Sequence, residues 1–496
     1  MTALREQELG TLEGAVATPA YDRTRLQAGI IHIGVGGFHR AHQAMYLDEL
    51  MNAGKAYDWA ICGLGLMPGD ARMRDALNSQ DGLYTLAVKH PDGQLEARVI
   101  GSIVDYLYAP DDPEAALERM CDPAIRIVSL TVTEGGYNVN QVTGQFDFDN
   151  PAVRADLEPG ATPSTHFGYV IEALRRRRER GTPPFTVMSC DNIQGNGDNA
   201  HRMFGAFARA KDPELADWID THVPFPNCMV DRITPVTTDD DRDLVRSSFG
   251  IEDQWPVVTE PFTQWVLEDE FATGRPPYED VGVQLVQDVT PYELMKLRLL
   301  NVSHQGIAYL GHLAGYRMVH DVAQDALFAS FLRAYMDHEG QPTLRPLPGV
   351  DLELYKSTLI DRFSNPYVKD TVARLCAESS DRIPTWLVPV IQENLVAGGE
   401  VSRSALIVAS WARYAEGVDE QGEPIEIVDR IAEKVHAAAL AQAEDDLAFV
   451  RDRDLFGDLV EDERFVAAYR WALRSLHEHG AVRTIKALLD GEAPVA

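Results

Sequence analysis

A lysine, an asparagine and a histidine stand at Lys296, Asn301 and His304 in a run that is otherwise mostly apolar, TPYELMKLRLLNVSHQGIAYLG over residues 290–311. Their types suit proton transfer. A desolvated ammonium loses its proton readily, and a neutral lysine is a candidate general base. Thr290, Pro291 and Glu293 have the order of an N-cap, a first helical residue and a capping-box acid. That start places Lys296 in the second turn, where the positive end of the helix dipole also disfavours the ammonium. Met295, Leu297, Leu299, Leu300, Val302 and Ile307 can bury most of the helix. At roughly 100° per residue, Asn301 falls roughly 140° and His304 roughly 80° from Lys296, so the three share one half of a regular α-helix. By type alone, a snorkelling surface lysine and a satisfied core histidine fit the same pattern.

A second constellation lies near the N-terminus. Gly34-Val35-Gly36-Gly37-Phe38-His39-Arg40 follows an apolar run over 29–33 and precedes a helical pattern through Ala44, Met45, Leu47 and Leu50. Strand, glycine turn and helix open a dinucleotide-binding unit: Gly34 for the tight turn, Gly36 for close approach of the pyrophosphate, and the helix N-terminus toward its charge. The third glycine of the fingerprint is replaced by His39. Arg40 is a candidate phosphate partner and Asp70 the candidate acid for the ribose hydroxyls. No Arg or Lys lies between Gly63 and Asp70 to attract a 2′-phosphate, which favours NAD over NADP. Polar clusters at Thr131-Val-Thr-Glu-Gly-Gly-Tyr137, Ser189-Cys-Asp-Asn192 and Met229-Val-Asp-Arg232 end predicted strands, where open α/β sheets hold ligands. Ordinary loop chemistry accounts for any one of them equally well.

The chain that must position these residues has 496 of them, 45% hydrophobic and 25% charged, which suits a soluble globular protein of more than one domain. With 45 basic against 77 acidic residues the net charge is −32, which argues against nucleic acid or an anionic membrane as partner. No apolar run is long enough to span a bilayer, and the start MTALREQELGTLEG, charged and without an apolar core, is not expected to act as a signal peptide. Five scattered cysteines form no disulfide framework, so a cytoplasmic location is expected. Fourteen histidines show no ligand spacing, so no metal is expected. Predicted strands at 29–33, 59–63, 97–103, 125–133 and 185–190 alternate with helices such as 169–178 and 200–210, the grammar of a mostly parallel sheet. Beyond Thr290 helical periodicity takes over, at 291–313, 324–336, 366–377, 385–397, 403–416, 425–443 and 462–477. The expected fold is therefore α/β: a Rossmann-type domain over 1–286 followed by a mainly α-helical substrate and catalytic domain over 287–496.

Taken together, IIHIGVGGFHRAHQAMY, RIVSLTVTEGGY, FTVMSCDN, FPNCMVDRITP, EPFTQWVLED and the KLRLLNVSH segment resemble the long-chain mannitol dehydrogenase family of polyol dehydrogenases, from Ile30 to about Leu489. The Lys-x4-Asn-x2-His signature is the most specific of these. The resemblance implies metal-independent, NAD-linked oxidation of a secondary alcohol of a polyol, D-mannitol to D-fructose first, with D-arabinitol or another polyol as a further substrate. It implies that Lys296 is the general base and that Asn192 and Asn301 hydrogen-bond the reacting oxygen. His304 would help hold the substrate, Asp231 and Arg374 would contact sugar hydroxyls, and Glu134 would link the lysine to solvent. Arg382 stands where the family pattern carries a substrate-binding lysine, and Gly69 where an acid is familiar. A fructuronate- or tagaturonate-type reductase of the same superfamily, which a pairing of Arg382 with Arg374 would suit, is the alternative enzyme. A catalytically silent nucleotide-binding regulator is the non-enzymatic one. A monomer is compatible with the sequence, which does not fix the oligomeric state.

Overall fold

The computed structural model describes residues 2–12, 14–140 and 143–494. They form two compact units, one ending at Thr290 and one beginning at Pro291.

The first unit is built on five parallel strands: β1 (Ala28–Ile33), β2 (Ala60–Gly65), β3 (Ile103–Tyr108), β4 (Ile127–Leu130) and β5 (Thr186–Ser189). Their order is β3-β2-β1-β4-β5, and every neighbouring pair is parallel. Strands covered on both faces carry near-continuous apolar runs, and β1 and β4 are buried at every position. His32 is the polar exception within β1. Its ring nitrogens meet Ser129 Oγ at 2.8 Å and Thr131 Oγ1 at 2.9 Å, so a side chain in mid-sheet keeps its hydrogen bonds and pins β1 to β4. Chain order reverses between β1 and β4, the switch point at which doubly wound sheets hold ligands. Register is level there: Ile33 pairs with Leu130, and Leu130 with Ser189. Gly34, Thr131 and Cys190 therefore leave the sheet along one edge.

Two expected strands belong elsewhere. The run over 97–103 is divided between Leu95–Ile100 and β3. Leu95–Ile100 pairs antiparallel with Tyr84–Lys89, in a separate sheet with Val257–Thr259. The strand Cys228–Asp231, which carries the third polar cluster, lies in a mixed sheet with Gln264–Glu268 and Gln284–Val286, not in the parallel one. A short buried strand has an apolar pattern but no mark of its partner's direction, which is why sequence pattern misplaced both.

The second unit is helical. The expected helix over 291–313 is present as three pieces: α-helix Thr290–Met295, a π-helical turn Lys296–Asn301, and α-helix Val302–Leu313. Thr290 is itself the first helical residue, and Asp288 Oδ1 accepts its N–H at 2.9 Å. Val302–Leu313 is buried all round except at His304. It packs against Val372–Cys376, Ser402–Tyr414 and Glu463–Leu489. Close approach depends on Gly311, where a Cβ would lie 2.7 Å from Val322 Cγ2. The pattern over 366–377 contracts to Val372–Cys376, and Leu352–Phe363 adds a helix that periodicity did not mark. No described helix is long and apolar enough to cross a membrane.

Candidate active site

The glycine turn leaves β1 at the switch point. Gly34 has φ +93°, and a Cβ there would sit 2.2 Å from the Thr131 carbonyl oxygen, so the close exits of β1 and β4 impose glycine. At Gly36 a Cβ would meet only the Gly34 oxygen, at 3.7 Å. The protein leaves that space open, as a pyrophosphate approaching the backbone requires. The helix that follows, Gly37–Ala41, breaks at His42 before Gln43–Asn52. Val35, His39 and Arg40 are buried, and Gly37 and Phe38 partly so. Arg40 donates to the carbonyls of Gly36 and Trp255 and lies over the Tyr84 ring, 5.1 Å from its centroid. His39 stacks on His32 with ring centroids 3.4 Å apart. Both side chains brace the turn from the core side. Beyond β2, Asp70 Oδ2 accepts the N–H groups of Leu66 at 2.9 Å and Met67 at 2.8 Å, closing the turn after that strand.

Asp191 organises the next stretch of the edge. It is buried, and desolvation raises its pKa above the ordinary carboxylate value, opposed by the hydrogen bonds it accepts. These come from the backbone N–H groups of Val132 (3.1 Å) and Thr133 (2.8 Å) and from the Tyr137 hydroxyl (2.8 Å). The carboxylate thus ties the loop after β4, with exposed Glu134, to the loop after β5, with exposed Asn192. Asn196 extends the tie: its amide donates to the Asp191 and Cys228 carbonyls, and its oxygen accepts the Cys228 N–H at 2.9 Å. That fixes the start of the strand that ends in buried Asp231. Arg232 donates to the Ala41 carbonyl at 2.6 Å, joining the other end of this strand to the helix after the glycine turn. Glu134, Asn192, Asp231 and the turn are therefore held by one network within the first unit.

In the second unit the π turn changes the arithmetic of the lysine helix. Val302 N–H reaches the Leu297 carbonyl, a bond five residues back. Residues five apart then stand roughly where residues four apart stand in an α-helix, which brings Asn301 to roughly 40° from Lys296 and His304 to roughly 20° on its other side. The half-circle expected from a regular helix becomes one narrow face. Lys296 and Asn301 are 7% exposed, and His304 is partly buried with its ring 4.6 Å from that of Phe363. Arg374 is on Val372–Cys376, packed on Val302–Leu313, and its guanidinium pairs with Asp370. Arg382 lies on Ser379–Trp386, donates to the Leu375 carbonyl at 3.0 Å and sits over the Trp386 ring. Both cations are thus partly engaged by the protein.

Sequence reading passed over several residues that set this geometry. Asp191 and Tyr137 lay inside clusters already singled out for their neighbours. Arg298 lay inside the lysine signature; it forms a bidentate pair with Glu393 at 2.6 and 2.7 Å. Among the described residues, no group of three or more His, Cys, Asp or Glu is arranged to hold a metal ion.

Residues 28–280 match the family model for the mannitol dehydrogenase Rossmann domain, and residues 288–477 that for the mannitol dehydrogenase C-terminal domain. A mannitol 2-dehydrogenase of Phaeosphaeria nodorum is 48% identical over 97% of this chain and 85% of its own length. One from Neosartorya fischeri is 46% identical over 96% of each. Among solved structures, the Pseudomonas fluorescens mannitol 2-dehydrogenase ternary complex with NAD and D-mannitol is 47% identical, with a TM-score of 0.84 over 99% of this chain and 100% of that one. A substrate-free D-sorbitol dehydrogenase, at 40% identity, has a TM-score of 0.92 over 98% of this chain and 100% of its own. With both family domains matched in order and relatives of this identity spanning nearly its whole length, the chain belongs to the mannitol dehydrogenase family.

Proposed function

We propose that this protein is an NAD-dependent polyol dehydrogenase that interconverts a secondary alcohol of an open-chain sugar alcohol and the corresponding ketose, D-mannitol and D-fructose first. The observation that carries the reading is the π turn, which sets Lys296, Asn301 and His304 on one face of a largely buried, mostly apolar helix. The relatives' printed activity and the NAD and D-mannitol of the solved neighbour support it.

Gly34, Gly36 and the first turn of Gly37–Ala41, with Asp70 beyond β2, would hold NAD, and the open space over Gly36 fits that role. When bound, NAD supplies the acceptor for hydride from the carbinol carbon. The chain supplies the rest. Lys296, in its neutral form, takes the hydroxyl proton as the carbon–hydrogen bond breaks and the carbonyl forms. The amides of Asn192 and Asn301 donate to the oxygen while it carries negative charge, and such donors are worth roughly 3–4 kcal/mol each when removed. Glu134, exposed after β4, passes the proton between Lys296 and water. His304, Asp231, Arg374 and Arg382 hold the remaining hydroxyls. Glu134 is assigned by family resemblance and by its exposure, and the hydroxyl contacts by resemblance alone.

Initial rates with D-mannitol, D-sorbitol, D-arabinitol and D-fructose, beside fructuronate and tagaturonate, test the reading with NAD(H) and NADP(H) in turn. Polyol oxidation with NAD is the expected result. Faster reduction of a uronate than of D-fructose would replace the substrate class, and silence toward all of them would remove the enzyme.

A further inference from the structure

A π turn is rare because it gives up the regular i→i+4 ladder, and it persists only where its surroundings over-determine it. The wall behind Lys296–Asn301 does so at three points. The Arg298 guanidinium is fixed by Glu393 and by the Thr343 carbonyl at 2.6 Å. Leu299 faces Gly340, where a Cβ would lie 2.8 Å from Leu299 Cδ2. The Arg298 carbonyl, in the middle of the turn, accepts the hydroxyl of fully buried Tyr335 at 2.9 Å.

Tyr335 and Gly340 are themselves rigidly placed. They border and end a second π turn, Met336–Gly340. Its Glu339 is buried and accepts the N–H groups of Arg403 and Ser404, each at 2.7 Å, at the start of helix Ser402–Tyr414. Asn394 donates to the Glu339 carbonyl at 2.9 Å. Two π turns thus stand back to back, the outer one anchored and the inner one bearing Lys296 and Asn301. Burial keeps the Tyr335 phenol protonated far above its ordinary pKa, so it remains a donor across the working pH range.

We propose that Tyr335 is a positioning residue for polyol oxidation: through the Arg298 carbonyl it holds the π turn whose ends are Lys296 and Asn301. The proposal rests on the reading of Lys296 as base and Asn301 as donor. Tyr335→Phe removes one hydroxyl and keeps the ring. The expected result is a roughly 10- to 100-fold loss of kcat, in line with a displacement on the order of an ångström. The KM for polyol should stay within about threefold, because the loss falls on the chemical step. The acidic limb of the kcat profile should move to higher pH, since a relaxed turn admits water to the lysine. In an Asn301→Ala background the same change should cost less, one of the two displaced groups being already gone, while the shift of the acidic limb that comes from Lys296 should remain. Gly340→Ala, which presses on Leu299 Cδ2 and reaches the Arg298 carbonyl oxygen and the Tyr335 ring while keeping the Tyr335 hydroxyl, should give the same kinetic signature.

Native kcat and an unmoved pH profile in folded Tyr335→Phe would overturn the proposal. If Tyr335→Phe does not fold, Gly340→Ala is judged by the same criteria. Failure of both to fold would assign the pair to the core and contradict the positioning role. Lys296→Ala, run alongside, separates the two levels. If it is inactive while Tyr335→Phe is native, the base stands and the positioning role falls. If it is active, the base itself falls.

Discussion

The Asp191 carboxylate accepts the backbone N–H of Thr133 at 2.8 Å, and Thr133 is held at φ +65°. A β-branched residue in the left-handed region costs on the order of 1–3 kcal/mol and persists only where neighbours enforce it. Here the enforcing group precedes Asn192 directly, and the enforced residue precedes Glu134. The loops after β4 and β5 are therefore set against each other by one side chain.

Asp191→Ala should release both loops. It leaves the Val132 and Thr133 N–H groups to find water and the Tyr137 hydroxyl with Ser189 Oγ alone, at about 1–3 kcal/mol, or a few degrees in Tm. It should lower kcat by at least about tenfold through misplacement of Asn192. Tyr137→Phe, which removes the hydroxyl's bonds to Asp191 and Ser189 but leaves the carboxylate on both backbone N–H groups, should do less. Calorimetry and steady-state rates on the two variants check this, and native kcat in Asp191→Ala would leave the carboxylate a purely structural role.

Asp70 should repel the 2′-phosphate of NADP and accept hydrogen bonds from the ribose of NAD. Since its Oδ2 also closes the turn over Leu66 and Met67, Asp70→Asn is a cleaner probe than alanine. The ratio of kcat/KM for NAD to that for NADP should fall by about tenfold, as loss of charge–charge repulsion of ~1.4 kcal/mol requires. An unchanged ratio would show that cofactor choice is read elsewhere.

Burial lowers the His32 pKa from 6.5 to about 3, and its stacked neighbour His39 is lowered in the same direction by burial and by the charges of His32 and Arg40. Both are neutral in the folded state where the unfolded chain would bind protons. Stability from His32 is thus fully present above about pH 6.5 and lost as pH falls from there toward about 3. By pH 4.5 the loss is on the order of 3 kcal/mol. Denaturant melts at pH 7, 5.5 and 4.5 should show this slope, and His32→Asn, neutral throughout, should make it shallower while leaving the share of His39.

The glycine turn, the central strands and the polar strip of Lys296, Asn301 and His304 were legible because each is local. Gly34 follows its own strand, and the polar residues stand out against an apolar helix. The π turn was not legible. KLRLLN carries no glycine or proline to mark a change of ladder, and the phenol that holds the turn lies 37 residues from Arg298 in sequence. Type and spacing mark Arg40 as a candidate phosphate partner, but not the bonds its guanidinium makes to the Gly36 and Trp255 carbonyls across a broken helix. The strand ending in Asp231 was visible as apolar residues, but its antiparallel partner Gln264–Glu268 was not.

Asn192 and Asn301 are neutral amides on different elements, so they should matter most when the oxygen they serve carries charge. Either change to Ala should lower kcat by roughly 10²- to 10³-fold with a much smaller rise in KM. The double change should cost less than the sum. Additive losses confined to KM would make both residues simple polyol binders.

If Lys296 removes the proton, Lys296→Ala must abolish turnover of D-mannitol and NAD while sparing the binding of NADH, and both are measured on the one variant. A fall in kcat of about 10³-fold or more is expected, partly restored by added primary amines, with NADH affinity close to native. A folded variant that keeps more than about a tenth of native turnover would contradict it, because that is less than general-base catalysis contributes.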